Sequence, residues 1–236
     1  MTTSNSLRKM SNKLMLRKIL IEGTSTFVLC LGVGMSKDCI YCPSLVLFAA
    51  LAFTAFASGS HLNPAVSVGV ILKLYLTKAL EKEKLIEFLI YIPVECLFGF
   101  LGALCSYSIL GETKEFRIHH EYSLLQGFAA EFFFSWALVG TVMTVAEYGE
   151  SRLLGGGTVC ATVLVGDYAV GKVSSAVFNP ALGLGFNLMH AIKKGDYLPA
   201  SDTWVYFVAP ISAGVLSALF FVLLKNEIKL KVYSEK

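Results

Sequence analysis

The sequence predicts an all-α membrane protein with six transmembrane helices and two re-entrant half-helices, arranged as an inverted internal repeat. Three observations predict this fold class. Hydrophobic residues make up 55% of the 236 residues and charged residues only 16%. Long apolar segments recur along the chain, and the triplet Asn-Pro-Ala occurs once in each half. A soluble domain carries about 25% charged residues, so the composition favours a lipid environment.

Six apolar segments are the candidate transmembrane helices. A helix that crosses a bilayer needs about 20 predominantly apolar residues. The second segment reaches that length only when its polar flanks are counted with it. The segments cover residues 16–35, 44–57, 85–110, 124–146, 153–170 and 204–224.

The predicted organisation is a single membrane domain over residues 16–225 between two tails, residues 1–15 and 226–236. Its first repeat covers about 16–110 and its second about 124–225. Six spans put both termini on one face, where 14 of the 20 Lys and Arg residues fall. The positive-inside rule therefore predicts cytosolic termini. The polar, basic first 15 residues do not resemble a signal peptide, and either the plasma membrane or an internal membrane fits.

Each half opens with a glutamate inside an apolar segment. Glu22 begins EGTSTFVL and Glu131 begins EFFFSWAL, which share a Glu-x-x-x-Ser/Thr pattern. Three spans per half mean that the second half enters the membrane from the opposite face, which is typical of transport proteins with a site at the midplane. We expect both carboxyls to accept hydrogen bonds from buried non-helical backbone, although a location near a helix end in interfacial water is an alternative. Glu95 is a third such carboxyl, without an obvious counterpart.

Both Asn-Pro-Ala triplets predict the start of a helix. Asparagine is a preferred N-cap residue, and proline is favoured at the first helical position. The apolar stretches after Asn63 and Asn179 have about 12 residues and cover only ~18 Å, so they are half-helices. If these enter from opposite faces, their N-termini meet near the midplane. Their positive dipole ends and asparagine amides would then orient a polar molecule and repel cations.

On these motifs the chain resembles the aquaporin, or major intrinsic protein, family along nearly its whole length. SGSHLNPAV and TWVYFVAPISAG are similar to signatures of that family. The resemblance implies a homotetramer in the lipid bilayer, with a pore in each subunit that passes water or small neutral solutes. It implies no catalysis, cofactor or metal. It assigns Asn63 and Asn179 to the pore and Glu22 and Glu131 to bracing the re-entrant loops, and His61 is expected to hold loop structure.

The chain departs from the family at Leu182, where members usually carry an arginine that lines the narrowest constriction. Two other constriction positions fall on Ala176 and on or beside Asp167. Lys172 is a hypothetical substitute for the missing positive charge, and Asp167 is either a pore residue or a loop contact. The aromatic pair at 206–207 favours water, whereas Leu182 and Ala176 favour a wider opening for glycerol, urea, ammonia or hydrogen peroxide.

Other function classes fit less well. A coupled transporter is disfavoured because the half-helices carry no charge before Lys73 and Lys193. A protein of this fold that conducts little and serves adhesion or assembly is the alternative function. Neither an enzyme nor a nucleic-acid partner is predicted, and the net charge is only +3. Cys39 and Cys42 are candidates for a disulfide, and two cysteines without a second ligand pair indicate a metal only weakly.

Overall fold

A computed structural model of the chain describes residues 2–36, 39–54, 57–149, 151–195 and 202–234. Within these ranges the chain forms eight α-helices and no β-strand. The helices are α1 (Thr2–Met35), α2 (Cys42–Thr54), α3 (Pro64–Leu76), α4 (Lys82–Leu110), α5 (Leu124–Tyr148), α6 (Arg152–Ser174), α7 (Pro180–Lys194) and α8 (Val205–Ser234).

Five helices of the described chain are long and apolar enough to cross a membrane, namely α1, α4, α5, α6 and α8. The predicted second span is shorter than expected, since α2 has 13 residues and residues 55 and 56 lie outside the described part. The predicted tails are largely helical, because α1 begins at Thr2 and α8 continues to Ser234. We call the face where α1 begins and α8 ends the terminal face, and the other the opposite face.

The helices form two repeats, α1–α4 and α5–α8, as the sequence predicts. Helix α1 packs on α4, and its counterpart α5 packs on α8. Each half-helix packs on the last helix of the other repeat, α3 on α8 and α7 on α4. A glycine allows close approach at each crossing. A Cβ on Gly99 would lie 2.6 Å from the carbonyl oxygen of Ala181, and a Cβ on Gly214 would overlap the carbonyl oxygen of Ala65.

The half-helices begin where the sequence predicts. Asn63 and Asn179 are extended N-cap residues whose side chains each accept a hydrogen bond, from the backbone N–H of Ala65 and Ala181 respectively, both at 2.9 Å. A proline follows each cap, and α3 and α7 run for 13 and 15 residues. At 1.5 Å per residue such helices cover about 20 Å, roughly half of a membrane with its interfaces.

Large apolar side chains cover the outside of the bundle. Phe53 is 79% exposed and Leu125 is 76% exposed, values that a soluble protein would seldom tolerate at many positions together. Polar side chains are instead buried between the helices, among them all three membrane glutamates. This inversion fits a chain whose outer surface contacts lipid and whose interior holds the polar groups.

Candidate functional site

The two Asn-Pro-Ala loops meet between the repeats and are joined by their asparagines. The side-chain amide of Asn63 donates to the carbonyl oxygen of Phe178 at 2.9 Å. The amide of Asn179 donates to the carbonyl oxygen of Leu62 at 2.8 Å. An amide carries two N–H donors, so each asparagine retains one beyond this bond. The sequence predicts that these amides orient a polar molecule, and the structure uses one N–H of each amide to join the loops.

Glu131 braces the second loop from α5. It is fully buried, and it accepts hydrogen bonds from the backbone N–H of Val177 at 3.0 Å and of Phe178 at 2.7 Å. It also accepts one from the hydroxyl of Ser174 at 2.7 Å. Glu22 is equally buried in α1 and accepts a bond from the N–H of Leu62 at 2.5 Å. Both carboxyls therefore contact non-helical backbone rather than interfacial water.

A tyrosine from the last helix of each repeat completes the support. The hydroxyl of Tyr91 donates to the carbonyl of Ser58 at 3.1 Å, and that of Tyr206 donates to the carbonyl of Ser174 at 2.8 Å. Both serines stand five residues before the asparagine of their loop. The site is thus built twice from the same contacts.

The loop backbones are strained in the same way in both repeats. Ser60 and Leu62 have φ angles of 45° and 53°, and their counterparts Ala176 and Phe178 have 52° and 51°. Non-glycine residues seldom adopt this left-handed region, and each instance costs on the order of 1–3 kcal/mol. Such strain persists only where surrounding contacts hold it, and here the glutamates, tyrosines and asparagines do so.

A cavity of about 250 Å³ passes beside the meeting point of the two loops. Both asparagines line it, together with apolar side chains from α1, α2, α5 and α6. All the candidate pore residues border this cavity: Asn63, Asn179, Leu182, Ala176, Asp167 and His61. The arrangement is a mostly apolar cavity wall that also carries the hydrogen-bonding side chains of the two asparagines.

Leu182 gives the cavity an apolar wall at the position where the sequence lacks an arginine. Its side chain is 8% exposed and belongs to a buried apolar cluster that also contains Phe116 and Phe186. Asp167, from the last third of α6, borders the same cavity and accepts a long hydrogen bond from the Ser44 hydroxyl at 3.4 Å. The opposite-face half of the cavity therefore combines an apolar patch with a carboxyl group.

The positive charge on the cavity wall is Lys114, which sequence reasoning missed, rather than Lys172. Lys172 is exposed and does not border the cavity. Five helical residues after Asp167 turn the chain by roughly 140°, so the two side chains leave α6 in different directions. Lys114 lies in the connection between the repeats, which joins α4 to α5. No signal in one sequence distinguishes a linker from a loop that folds back over a pore.

His61 is held by its surroundings on the cavity wall. Its Nδ1 pairs with the hydroxyl of Ser67 at 2.9 Å, and its ring packs against Phe88 and Tyr91 with centroid distances of 4.7 and 5.4 Å. The Ser67 hydroxyl donates to Glu95 at 2.9 Å. Glu95 therefore belongs to the hydrogen-bond network around the first loop. The sequence of the second repeat has no obvious counterpart of this residue.

The aromatic pair at 206–207 does not face the cavity. Tyr206 is buried with its hydroxyl on Ser174, and Phe207 is 39% exposed on the outside of α8. Neither residue borders the cavity, and the expectation that this pair favours water stays a prediction. At the opposite face Cys39 and Cys42 form a disulfide at the start of α2. Across the described ranges no cluster of His, Cys, Asp and Glu could hold a metal.

Comparisons with known proteins agree with this geometry. The sequence profile of the family described as Major intrinsic protein matches residues 10–221. Aquaporin PIP1-1 of Arabidopsis thaliana and Aquaporin PIP1.1 of Vicia faba are each 30% identical to the chain over 202 residues, which is 79% of this chain. The chain spans 65% of the length of these two relatives.

A solved structure shares the fold. The aquaglyceroporin from Plasmodium falciparum superposes with a TM-score of 0.72 over 94% of this chain and 100% of that chain. The two sequences are 20% identical, so the likeness concerns the arrangement of helices.

Proposed function

Because this chain belongs to the major intrinsic protein family, we propose that it is a passive membrane channel for water and not an enzyme. The supporting observation is the cavity beside the two half-helix N-termini, with Asn63 and Asn179 on its wall. We propose further that four copies form a homotetramer in the lipid bilayer, with a pore in each subunit and cytosolic termini. Each pore works without a cofactor.

The electrostatics of the crossing fit water better than ions. Two half-helix N-termini present their positive dipole ends at the middle of the cavity. The remaining N–H donors of the two asparagines would bind the oxygen of a passing molecule and so fix its orientation. The same positive ends repel a cation at the point where the apolar walls offer it no compensating oxygen ligands.

The wall near the opposite face bears on which solutes accompany water. Leu182, Ala176 and Phe116 give it an apolar character, and an apolar wall does not require a permeant to match fixed donors. We therefore propose small neutral molecules such as glycerol, urea, ammonia and hydrogen peroxide as additional permeants. Asp167 supplies an acceptor on the same wall for a hydroxyl or amine group.

The test is osmotic. The purified protein is reconstituted in liposomes, and light scattering is recorded after a jump in external sucrose and then in glycerol. Shrinkage clearly faster than in empty liposomes supports a water channel. Re-swelling in glycerol identifies a polyol pathway, and its absence restricts the channel to water and smaller solutes.

A matched variant ties the flux to the cavity. Val66→Trp places a large ring on the cavity wall beside the first half-helix, whereas Val165→Trp makes the same change at a side chain that is 60% exposed on α6. We expect the first to abolish fast shrinkage and the second to preserve it. The contrary result is a folded, tetrameric wild-type protein whose liposomes shrink no faster than empty liposomes. That result would contradict the channel and favour the structural or adhesive alternative.

A further inference from the structure

We propose that Lys114 keeps monovalent cations out of this pore by neutralising the acidic side chains at its opposite-face mouth. The proposal rests on the proposed channel function and names the residue that sets its ion exclusion. The missing arginine after the second Asn-Pro-Ala would then be replaced by a lysine from a different part of the chain, the connection between the two repeats.

The ammonium group of Lys114 is held in place by the end of α1. It donates to the carbonyl oxygens of Val33 at 2.9 Å and Ser36 at 2.5 Å, and it lies 3.2 Å from the Ser36 hydroxyl. Carbonyl groups at the C-terminus of a helix carry a partial negative charge and bind cations. Lys114 therefore acts as a fixed point charge on the cavity wall rather than as a donor that swings into the pore.

The loop that carries Lys114 is also fixed. Phe116 exchanges two backbone hydrogen bonds with the buried side chain of Asn187 in α7, at 2.8 and 2.9 Å. Ile118 donates its N–H to Asp202 at 2.7 Å, and His119 donates to the carbonyl of Val173 at 3.0 Å. These bonds attach the connection to three elements of the second repeat, so the lysine keeps its position over the mouth.

Among the described residues, three charged side chains border the cavity: Lys114, Glu115 and Asp167. The carboxyl of Glu115 lies 3.6 Å from the His190 ring and 3.9 Å from Arg117, and the guanidinium of Arg117 offsets part of its charge. Asp167 has the Ser44 hydroxyl at 3.4 Å and lies within electrostatic reach of Lys114. Lys114 is thus the cation on the cavity wall that balances Asp167.

Without the positive charge of Lys114, the opposite-face mouth of the cavity would carry a net negative charge. The carboxylate of Asp167 would then stand on the cavity wall without a balancing cation, and Asp or Glu side chains in such positions attract cations. A low-dielectric wall also strengthens the field of each remaining charge. The dipoles at the middle of the pore would be the only remaining barrier to ions.

The experiment compares Lys114→Gln with wild type in sealed liposomes, with sodium uptake and water flux measured separately. Glutamine keeps an N–H donor one bond closer to the backbone but carries no charge. We expect sodium uptake to rise roughly tenfold, because a unit charge within several ångströms changes an ion's energy enough for that. Water flux should stay within about twofold of wild type, since the apolar wall and the asparagines are unchanged.

Three further variants make the test specific. Lys114→Arg keeps the charge, and its sodium uptake should equal that of wild type. Lys114→Gln combined with Asp167→Asn restores the charge balance and should return uptake to the wild-type level. Lys172→Gln makes the same charge change on the exposed side of α6 and should have no effect. Folding of each variant is checked by its elution as a single oligomer.

The outcomes separate the two proposals. Sodium uptake by Lys114→Gln equal to that of wild type, or leakage undiminished by Asp167→Asn, would overturn the role of Lys114. Wild-type liposomes without fast water flux would overturn the channel instead. The role of Lys114 is therefore read from sodium uptake in preparations whose wild-type liposomes show fast water flux.

Discussion

Asn63 and Asn179 each donate a side-chain hydrogen bond to the backbone carbonyl that directly precedes the other, at 2.9 and 2.8 Å. Each loop is therefore held partly by a residue of the other repeat. The same asparagines start the two half-helices, so the crossing couples helix initiation in one half to loop conformation in the other. Each half of the site therefore receives one hydrogen bond from the other repeat.

Substitution of Asn63 should separate these two roles. Asn63→Ala removes both the N-cap and the bond to Phe178, and we expect a loss of about 2–3 kcal/mol of stability, roughly 1 for each bond plus the stranded carbonyl. Asn63→Ser retains a capping hydroxyl but is too short to reach Phe178, so its loss should be about half as large. Thermal unfolding in detergent measures the stability of both variants. Equal losses for Asn63→Ala and Asn63→Ser would show that the capping bond and the bond to Phe178 do not contribute separately.

The Glu131 carboxyl accepts three hydrogen bonds from the second loop, two of them from backbone N–H groups. In Glu131→Gln an amide NH2 group replaces one carboxyl oxygen, so one backbone N–H of the loop loses its acceptor. We expect the free energy of unfolding to fall by roughly 2–4 kcal/mol. Water flux should fall with it, because the left-handed residues Ala176 and Phe178 lose their support. The melting temperature and the osmotic assay are measured together.

Glu121→Gln is the control for this change, because Glu121 is exposed in the connection between the repeats. It should alter neither property. A Glu131→Gln protein with wild-type melting temperature and flux would show that the carboxyl does not brace the loop.

Most of the fold could be predicted from the sequence because membrane constraints are strong. Apolar length predicts spans, and Asn63-Pro64 and Asn179-Pro180 fix the start of each half-helix through cap chemistry that acts within three residues. The inverted repeat and the buried positions of Glu22 and Glu131 follow from the pattern in the same way. These features depend on local sequence and on the bilayer as solvent.

The mouth of the cavity could not be predicted in the same way. Lys114 lies in a loop that is bound by Asn187 and Asp202, about 70 and 90 residues later, and its ammonium group is bound by the end of α1. Such contacts depend on the packing of distant elements, and no local pattern encodes them. The sequence named Asp167 as a candidate constriction residue, and it does border the cavity. It named Lys172 as a candidate positive charge there, but this side chain leaves α6 in another direction and is exposed.

The crossing of α4 and α7 should not tolerate a side chain at Gly99. A methyl group there would lie 2.6 Å from the carbonyl oxygen of Ala181, so the helices must separate. We expect Gly99→Ala to cost about 1–3 kcal/mol and to lower the melting temperature. Gly171→Ala is the matched change in α6, where an added Cβ would meet no described atom within 4 Å apart from the nearby backbone of its own helix. It should be neutral or stabilise by up to about 1 kcal/mol, since alanine is the better helix former.

Glu95 and Glu22 are fully buried neighbours, and each has one carboxyl oxygen without a hydrogen-bond partner among the described residues. Two carboxyl groups so placed repel each other when both are ionised. Glu95→Gln replaces one ionisable carboxyl by an amide of nearly equal volume, which can still accept the bond from Ser67. We expect an unchanged or higher melting temperature and unchanged water flux, whereas Glu95→Leu should lower the melting temperature because Ser67 loses its acceptor.

Leu182 should control the size of the permeant, because it lines the cavity on the same wall as Ala176 and Phe116. Leu182→Ala shortens the side chain and should raise glycerol flux relative to water flux. Leu182→Trp fills the same space and should reduce both fluxes.

The stability cost of Leu182→Ala is expected at about 2–5 kcal/mol, because the side chain also packs in a buried cluster. Leu188→Ala, at a side chain 43% exposed on the same half-helix, is the control and should leave the glycerol-to-water ratio unchanged. A ratio equally unaffected by Leu182→Ala and Leu188→Ala would remove Leu182 from the filter.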